Sequence, residues 1–360
     1  MDLFFELIQI YSSSRTELSR IPNDEEWKSL YKLAYAHTLI GVLFSSVMRL
    51  PKEQRPCRAL LMQWYASTIR IKKQNQILNL DSTEIIRLLK KDGFFSVLLK
   101  GQGIALSYPE PDLRMSGDID LWVYGDKKYI IHYLQKNYNY GLKISFHHAA
   151  FIFKGRTRVE VHFTPSLMRY YKSCIRLQKF FSQQKEIQID NRVILPYTNE
   201  KISVPNAYFN AIFLLVHIFR HLIGEGIGLR QLMDFYYCLK GGFEEDIKLK
   251  IIQVYRDLKL LEFAKAIMYV EQVVFGLEEK FFIVPPNIES GKVVLAEIVR
   301  GGNFCRYEET CIVKNETHFQ RGLRLFCSNM KLMRYYPYEV VSNPFYSLFH
   351  LIWRKWYGYL

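Results

Sequence analysis

Closely spaced cysteines are missing from this 360-residue chain. The six present are Cys57, Cys174, Cys238, Cys305, Cys311 and Cys327, and no two stand two to four residues apart. That excludes the CxxC spacing of a structural zinc site, and the set is too sparse for a disulfide scaffold. Long hydrophobic runs are missing too. The longest, residues 211–218, already contains His217 and falls far short of the ~20 residues a membrane span needs. The N-terminus MDLFFELIQIYSS has no basic n-region and no small-residue cleavage site, so it does not read as a secretory signal. Internal repeats and low-complexity segments are absent. A cytoplasmic protein with no transmembrane segment is the expectation.

Acidic residues are the scarcer charge. Against 49 Lys and Arg stand 35 Asp and Glu, a net charge of +14. Such a balance favours anionic partners without choosing among nucleotide, nucleic acid and acidic lipid. Apolar residues make up 49% of the chain and charged ones 23%, which provides a core and excludes wholesale disorder. Aromatics reach 15%, with 25 Tyr and 25 Phe, enough for cores, stacking platforms or interfaces alike.

Three segments follow from the patterning. Residues 1–93 read as helical. Over residues 25–48 apolar positions recur at three- and four-residue steps behind a cap at Asn23 or Asp24. Residues 58–90 read as one or two long helices stopped at Lys90-Lys91-Asp92-Gly93. The pattern changes at FFSVLL, residues 94–99, a short β-rich run between glycines. DIDLWV, residues 118–123, is a second strand. A helix is expected over 126–138, then a hairpin of strands 146–153 and 156–163 turning at Lys154-Gly155. The segment 94–203 therefore reads as a small mixed sheet with few helices. From residue 204 to 360 the chain is helical again, with runs ending at Gly224 and Gly241 and further helices over 245–275, 318–334 and 345–358. Residues 313–360 carry seven Lys or Arg and two Glu, rich in aromatics, and read as a packed helix with a charged outer face or as a nucleic-acid arm. The fold class is α+β.

The chemistry concentrates in the middle segment. In Arg114-Met115-Ser116-Gly117-Asp118-Ile119-Asp120-Leu121, strand periodicity puts Asp118 and Asp120 on one face and Ile119, Leu121 and Val123 on the other. Two carboxylates that close repel unless a divalent cation sits between them. Ser116 and Gly117 form a turn whose hydroxyl and backbone N–H groups suit phosphate oxygens. In Val159-Glu160-Val161-His162-Phe163, Arg158, Glu160 and His162 share a face. Glu160 is placed to complete a metal pair and to help deprotonate an acceptor hydroxyl. The hairpin register brings His147 near His162. Lys100-Gly101-Gln102-Gly103, directly after the first strand, makes a corner suited to an anion.

Four other features weigh less. His217 and His221 have zinc-like spacing but no Glu between them, and read better as a helix face turned toward the site. Arg230 and Asp234 read as a helical ion pair or as substrate-orienting groups. GEGIG, residues 224–228, reads as a turn. His147 and His148 are weaker candidates than His162.

LLKGQGIAL, RMSGDIDLWV and VEVHF together resemble the uncharacterised nucleotidyltransferase family of the polymerase-β-like superfamily, over roughly residues 25–240. The resemblance implies that Asp118 and Asp120 bind the two metals that hold a triphosphate and that Glu160 completes the catalytic metal site. It implies two Mg²⁺ ions, with Mn²⁺ as an alternative, and an NTP as substrate. The superfamily's Gly-Ser phosphate turn is replaced here by Lys100, Gly101, Gln102 and Gly103, with Ser116 as the substitute. Lys100, Gly101, Gly103, Arg114, Ser116, Gly117 and His162 are the expected nucleotide-binding residues. The expected activity is transfer of an NMP to an acceptor hydroxyl on a small molecule, protein or RNA, with release of pyrophosphate. The alternatives are an inactive nucleotide- or RNA-binding module, or a phosphotransferase acting on a small molecule or peptide.

Overall fold

The computed structural model describes residues 1–224, 226–302 and 330–356. Helix α1 (Asp2–Ser12) is followed by α2 (Asp24–Ala36). The start of α2 is set by a reciprocal cap. The Asn23 side chain accepts from the Glu26 N–H at 2.9 Å, and the Glu26 carboxylate accepts from the Asn23 N–H at 2.9 Å. The run expected over 25–48 is two helices. Thr38 takes φ +56°, which ends α2, and α3 (Ile40–Arg49) starts again at a new angle. The apolar spacing continues across the break, so periodicity does not register it. Residues 58–90 belong to a single 34-residue helix, α4 (Arg58–Lys91), with Lys90 and Lys91 in its last turn.

The central sheet has five strands, β1 (Ser96–Leu99), β2 (Ile119–Val123), β3 (Lys143–Ile144), β4 (His148–Phe153) and β5 (Thr157–His162), in the order β1-β2-β5-β4-β3. Only the β2–β5 pair is parallel. Alternation along the strands divides the sheet chemically. On one face Ile119, Leu121, Val123, Val159 and Val161 pack with Leu78, Ile85 and Leu89 of α4. Ile130 and Leu134 of α6 (Lys127–Asn137) complete that layer. The other face carries Asp120, Trp122, Glu160 and His162. Trp122 stacks on Phe209 at 5.9 Å between ring centroids and contacts Phe181 at 6.2 Å.

Phe181 belongs to α7 (Tyr171–Asp190), a 20-residue helix in the segment expected to hold few. Its buried stripe is narrow (Leu177, Phe180 and Phe181 among long polar side chains), which weakens its helical signature. A short ribbon of β6 (Arg192–Ile194) and β7 (Lys201–Ser203) then leads to α8 (Ala207–Gly224). By length and composition α8 is apolar enough to span a membrane, with mean hydropathy 1.4, but 67% of it is buried inside this protein. Helices α9 (Leu229–Lys240), α10 (Glu245–Asp257), α11 (Leu261–Phe275), α12 (Ile288–Gly301) and α13 (Pro337–Trp356) follow. The run expected over 245–275 breaks at Lys259, φ +61°. Helix α13 begins well before residue 345. Residues 303–329 and 357–360, which include most of the helix expected over 318–334 and much of the basic aromatic tail, lie outside the described residues.

The first and last helical segments share one core. Phe4, Leu7 and Leu43 join Phe213, Leu232 and Ile267 in a single buried cluster. Tyr236 and Lys240 both donate to the Ser12 carbonyl. Cys57, Cys174 and Cys238 are free thiols.

Candidate active site

The corner after β1 is conformationally forced. Lys100 takes φ +43° and Gly101 φ +50° as the chain turns into the short helix α5 (Gly101–Ala105). Gly103 permits close packing instead: a Cβ there would meet Val204 Cγ1 at 3.1 Å. Because Leu99 pairs with Asp120 across the sheet, the turn carries the Lys100 ammonium to 3.1 Å from Asp120 Oδ1.

Asp120 lies opposite Glu160 in the parallel register, so both carboxylates leave the same face of adjacent strands. His162 Nε2 is 2.9 Å from Asp120 Oδ1. Glu160 Oε1 accepts from Arg158 Nη2 at 2.6 Å and Nε at 3.0 Å. Its other oxygen, Oε2, lies 3.8 Å from His162 Nε2 and 3.9 Å from His148 Nε2. Donor atoms of Asp120, Glu160 and His162 all fall within 4.8 Å of one another. Asp118, one residue before β2, stands outside that group and half-buried.

The two aspartates titrate apart. Burial alone would raise Asp120, but Lys100 and the His162 hydrogen bond outweigh it and hold the carboxyl well below the usual range. Burial, and next the Asp120 charge, push Asp118 upward; Lys100 and Arg230 offset this only in part. The oxygen donors of Asp118, Asp120 and Glu160 fit a divalent cation.

The turn before β2 is clamped from the helical half. Arg114, 3% exposed, makes a two-pronged pair with Asp234 of α9, Nε–Oδ1 and Nη2–Oδ2 both at 2.7 Å. Its Nη1 donates to Ser116 Oγ at 2.6 Å. Tyr108 donates to Asp234 Oδ1 at 2.7 Å, and Arg230 donates to the Met115 carbonyl at 2.8 Å. The guanidinium of Arg114 is therefore committed to Asp234 and Ser116, and Asp234 pairs with Arg114 in place of the helical ion pair with Arg230 that was one of the two readings of these residues. Gly117 is exposed at the tip of this turn. Tyr108 was not anticipated from the sequence. Its partner is 126 residues away, a distance no local pattern encodes.

The histidines gather more closely than the hairpin alone suggests. The partner of His162 in the register is His148, not His147. His147 rejoins the cluster through its ring: its Nε2 is 3.1 Å from His148 Nδ1, which also meets Ser145 Oγ at 3.0 Å. Burial holds His147 well below the usual imidazole range and lowers His148 to about 4, so both rings are neutral. His217 and His221 meet edge to face on α8, with ring centroids 4.3 Å apart. Burial, with the nearby Lys100 charge, keeps both neutral. Among the described residues they gather no third metal donor, and their helix face points toward the Lys100 side of the site. Of the 224–228 segment, Gly224 closes α8 and residues 226–228 lead into α9, while residue 225 lies outside the described residues.

The model of a family described as uncharacterised nucleotidyltransferase matches residues 23–276. No curated protein matches the chain. Among solved structures, the chain is similar to an antigenic nucleotidyltransferase-like protein from Paracoccidioides brasiliensis, with 13% identity, 53% of this chain and 91% of that chain covered, and a TM-score of 0.29.

Proposed function

The chain belongs to the uncharacterised nucleotidyltransferase family, and from that premise we propose that it transfers an NMP from an NTP to an acceptor hydroxyl, with Mg²⁺ as cofactor and pyrophosphate as the second product. The observation that carries this reading is the convergence of Asp120, Glu160 and Lys100 on one sheet face, with Asp118 at its edge. Asp118, Asp120 and Glu160 are the residues that would hold the metal. Bound there, Mg²⁺ would supply charge neutralisation for the triphosphate and the acceptor oxygen.

The chain's own groups account for the remaining steps. Lys100 offers an ammonium to phosphate oxygens, and the Ser116–Gly117 turn, steadied by Arg114 and Arg230, offers a hydroxyl and an exposed backbone. Gly101 lets the corner reach its left-handed conformation, Gly103 seats it against Val204, and His162 orients Asp120. Arg158 restrains Glu160 through Oε1 and leaves Oε2 to accept the acceptor's proton. The acceptor oxygen then bonds to the α-phosphorus as the bond from that phosphorus to the leaving pyrophosphate oxygen breaks. Positioning and charge carry the catalysis. The core is proposed to span 94–203, between a helical N-terminal region, 1–93, and a helical C-terminal region, 204–360, that supplies the base pocket and acceptor site.

The test is incubation with Mg²⁺ and each NTP in a cell extract, followed by mass spectrometry for a species that gains an NMP. Asp118→Asn and Asp120→Asn should each abolish transfer and weaken metal–NTP binding while the fold survives. Undiminished transfer by either variant would sink the mechanism.

One observation favours a second reading. The Lys100 ammonium lies 3.1 Å from Asp120 Oδ1 and His162 Nε2 lies 2.9 Å from the same oxygen, so the protein's own groups already engage that carboxylate, as a nucleotide- or RNA-binding module without transfer would allow. Salt-sensitive RNA binding that persists in the double aspartate variant, with no NMP transferred, supports that module. An added phosphate in place of an added NMP would mark a phosphotransferase.

A further inference from the structure

Helix α13 turns an apolar side outward. Val341, Phe345, Leu348, Phe349, Ile352 and Trp356 succeed one another at helical steps along one face, about 22 Å long. Phe345 is 71% exposed and Trp356 84%, and the other four lie between 45% and 58%. The opposite face fastens the helix to the protein. Glu339, buried, accepts from the Arg169 and Tyr170 N–H groups, the latter at 2.9 Å, and Val340 joins the core. The Arg169 guanidinium lies over the Tyr346 ring at 3.9 Å. Phe146 meets Trp353, and Phe349 at the edge of the stripe, edge to face at 5.6 and 5.9 Å. The stripe is therefore the outer side of a docked helix. A charged outer face is one expectation for the C-terminal helix; among the described residues α13 shows an apolar one, with Lys355 near its end.

Positive charge adjoins the stripe. Tyr338, in the first turn of α13, stacks on Tyr170, the residue before α7, with ring centroids 5.0 Å apart. The first turns of α7 extend the pattern. Tyr171 and Ile175 are exposed there, and so are Lys172, Arg176 and Lys179. Residues 164–185 hold five basic side chains, Arg169, Lys172, Arg176, Lys179 and Lys185, and no acid. Within residues 330–356 the one acid is Glu339, which is buried.

An apolar helical stripe beside an acid-free basic run is the pattern of a helix that lies in the plane of a membrane interface. We propose that the outer face of α13, with the first turns of α7, rests on an anionic lipid surface. Side chains that stand this far out from the protein reach the boundary between headgroups and acyl chains, and Lys172 and Lys179 meet the lipid charge. Other occupants fit less well. Val341, Leu348 and Ile352 offer no ring to a stacked base, and all of these cations but Lys355 are on the neighbouring helix instead of between members of the stripe. A second copy of the chain would bring +14 against +14. The inference does not depend on the proposed transfer reaction.

The test uses tag-free, full-length protein and two sets of vesicles, phosphatidylcholine alone and equimolar phosphatidylcholine with phosphatidylserine, with binding read by co-sedimentation. The protein should bind the anionic vesicles about tenfold or more tightly than the neutral ones, and added salt should weaken that binding. Phe345→Gln combined with Ile352→Gln should weaken it by about tenfold or more. Lys172→Gln combined with Lys179→Gln should do the same through charge alone. All four side chains are exposed, so both variants should melt within about 2 °C of wild type. No vesicle binding, equal binding to both lipid mixtures, or wild-type binding by either folded variant would overturn the inference. A dimer seen by sedimentation velocity, abolished by the Phe345 and Ile352 changes while vesicles are ignored, would also overturn it and make the face a self-association surface. A melting point lowered by several degrees in that variant, with no vesicle binding by wild type, would assign the stripe to the chain's own packing and refute the lipid surface.

Discussion

Removing the charge of Asp234 should unfasten the turn that carries Ser116 from the helical half. Arg114 and Asp234 are each 3% exposed, joined by two 2.7 Å contacts, and Tyr108 adds a third bond to the same carboxylate. In Asp234→Asn the guanidinium stays buried with its countercharge gone, which costs about 3–5 kcal/mol. Unfolding entropy of ~2.1 cal/mol/K per residue, taken over 360 residues, gives about 0.76 kcal/mol/K, so Tm should fall by about 4–7 °C. Differential scanning calorimetry reads this directly. The double variant Arg114→Met with Asp234→Leu separates a lost countercharge from lost packing, because an apolar replacement of a buried pair is often neutral. It should recover most of the lost Tm while still freeing Ser116, so NTP affinity falls in both variants. A drop in Tm under about 1 °C for Asp234→Asn, or a double variant as unstable as the two single changes summed, would refute the reasoning.

Other sites give independent checks. Glu271 is fully buried with neither carboxyl oxygen partnered, and burial raises its pKa well above the ordinary value. Its folded pKa exceeds its unfolded one, so its contribution is full below about pH 4.3 and declines as pH rises toward the folded pKa, by up to about 1.4 kcal/mol per pH unit. Glu271→Met should therefore gain on wild type between about pH 5 and pH 8 in urea unfolding, and parallel stability curves would contradict this. Gly41 lies against the backbone of Leu113, where a Cβ would approach the carbonyl oxygen to 2.3 Å. Gly41→Ala should cost about 1–3 kcal/mol by denaturant midpoint, and an unchanged midpoint would show that α3 shifts freely. In Lys100→Met the Asp120 carboxyl should titrate higher, read by carbon NMR of the aspartate side chains, and NTP binding should weaken. An unmoved titration would deny the 3.1 Å pair its role.

What was legible in the sequence was legible because it is local. Period-two alternation placed Ile119, Leu121 and Val123 in one core and Asp120 on the opposite face, and the sheet keeps both. The turn at Lys154-Gly155 gave the β4–β5 hairpin for the same reason. Of the two caps expected for the first long helical run, Asn23 and Asp24, Asn23 is the one that starts α2. What was lost is of two kinds. The breaks at Thr38 and Lys259 sit inside unbroken apolar spacing, and only backbone conformation reveals them. Helix α7 buries too few side chains to announce itself.

The candidate site divides along the same line. The residue types and strand positions of Asp120, Glu160 and His162 were determined by the sequence, because a strand's faces follow from its own alternation. Which atoms meet was decided only by the tertiary structure. The parallel β2–β5 register sets Asp120 against Glu160, the hairpin sets His148 against His162, and the left-handed Lys100 returns its ammonium to Asp120. Arg114 and Asp234, 120 residues apart, pair because α9 packs beside the turn before β2. Such contacts depend on where separate elements dock, and docking is set by the burial of both cores at once, a property no single segment carries.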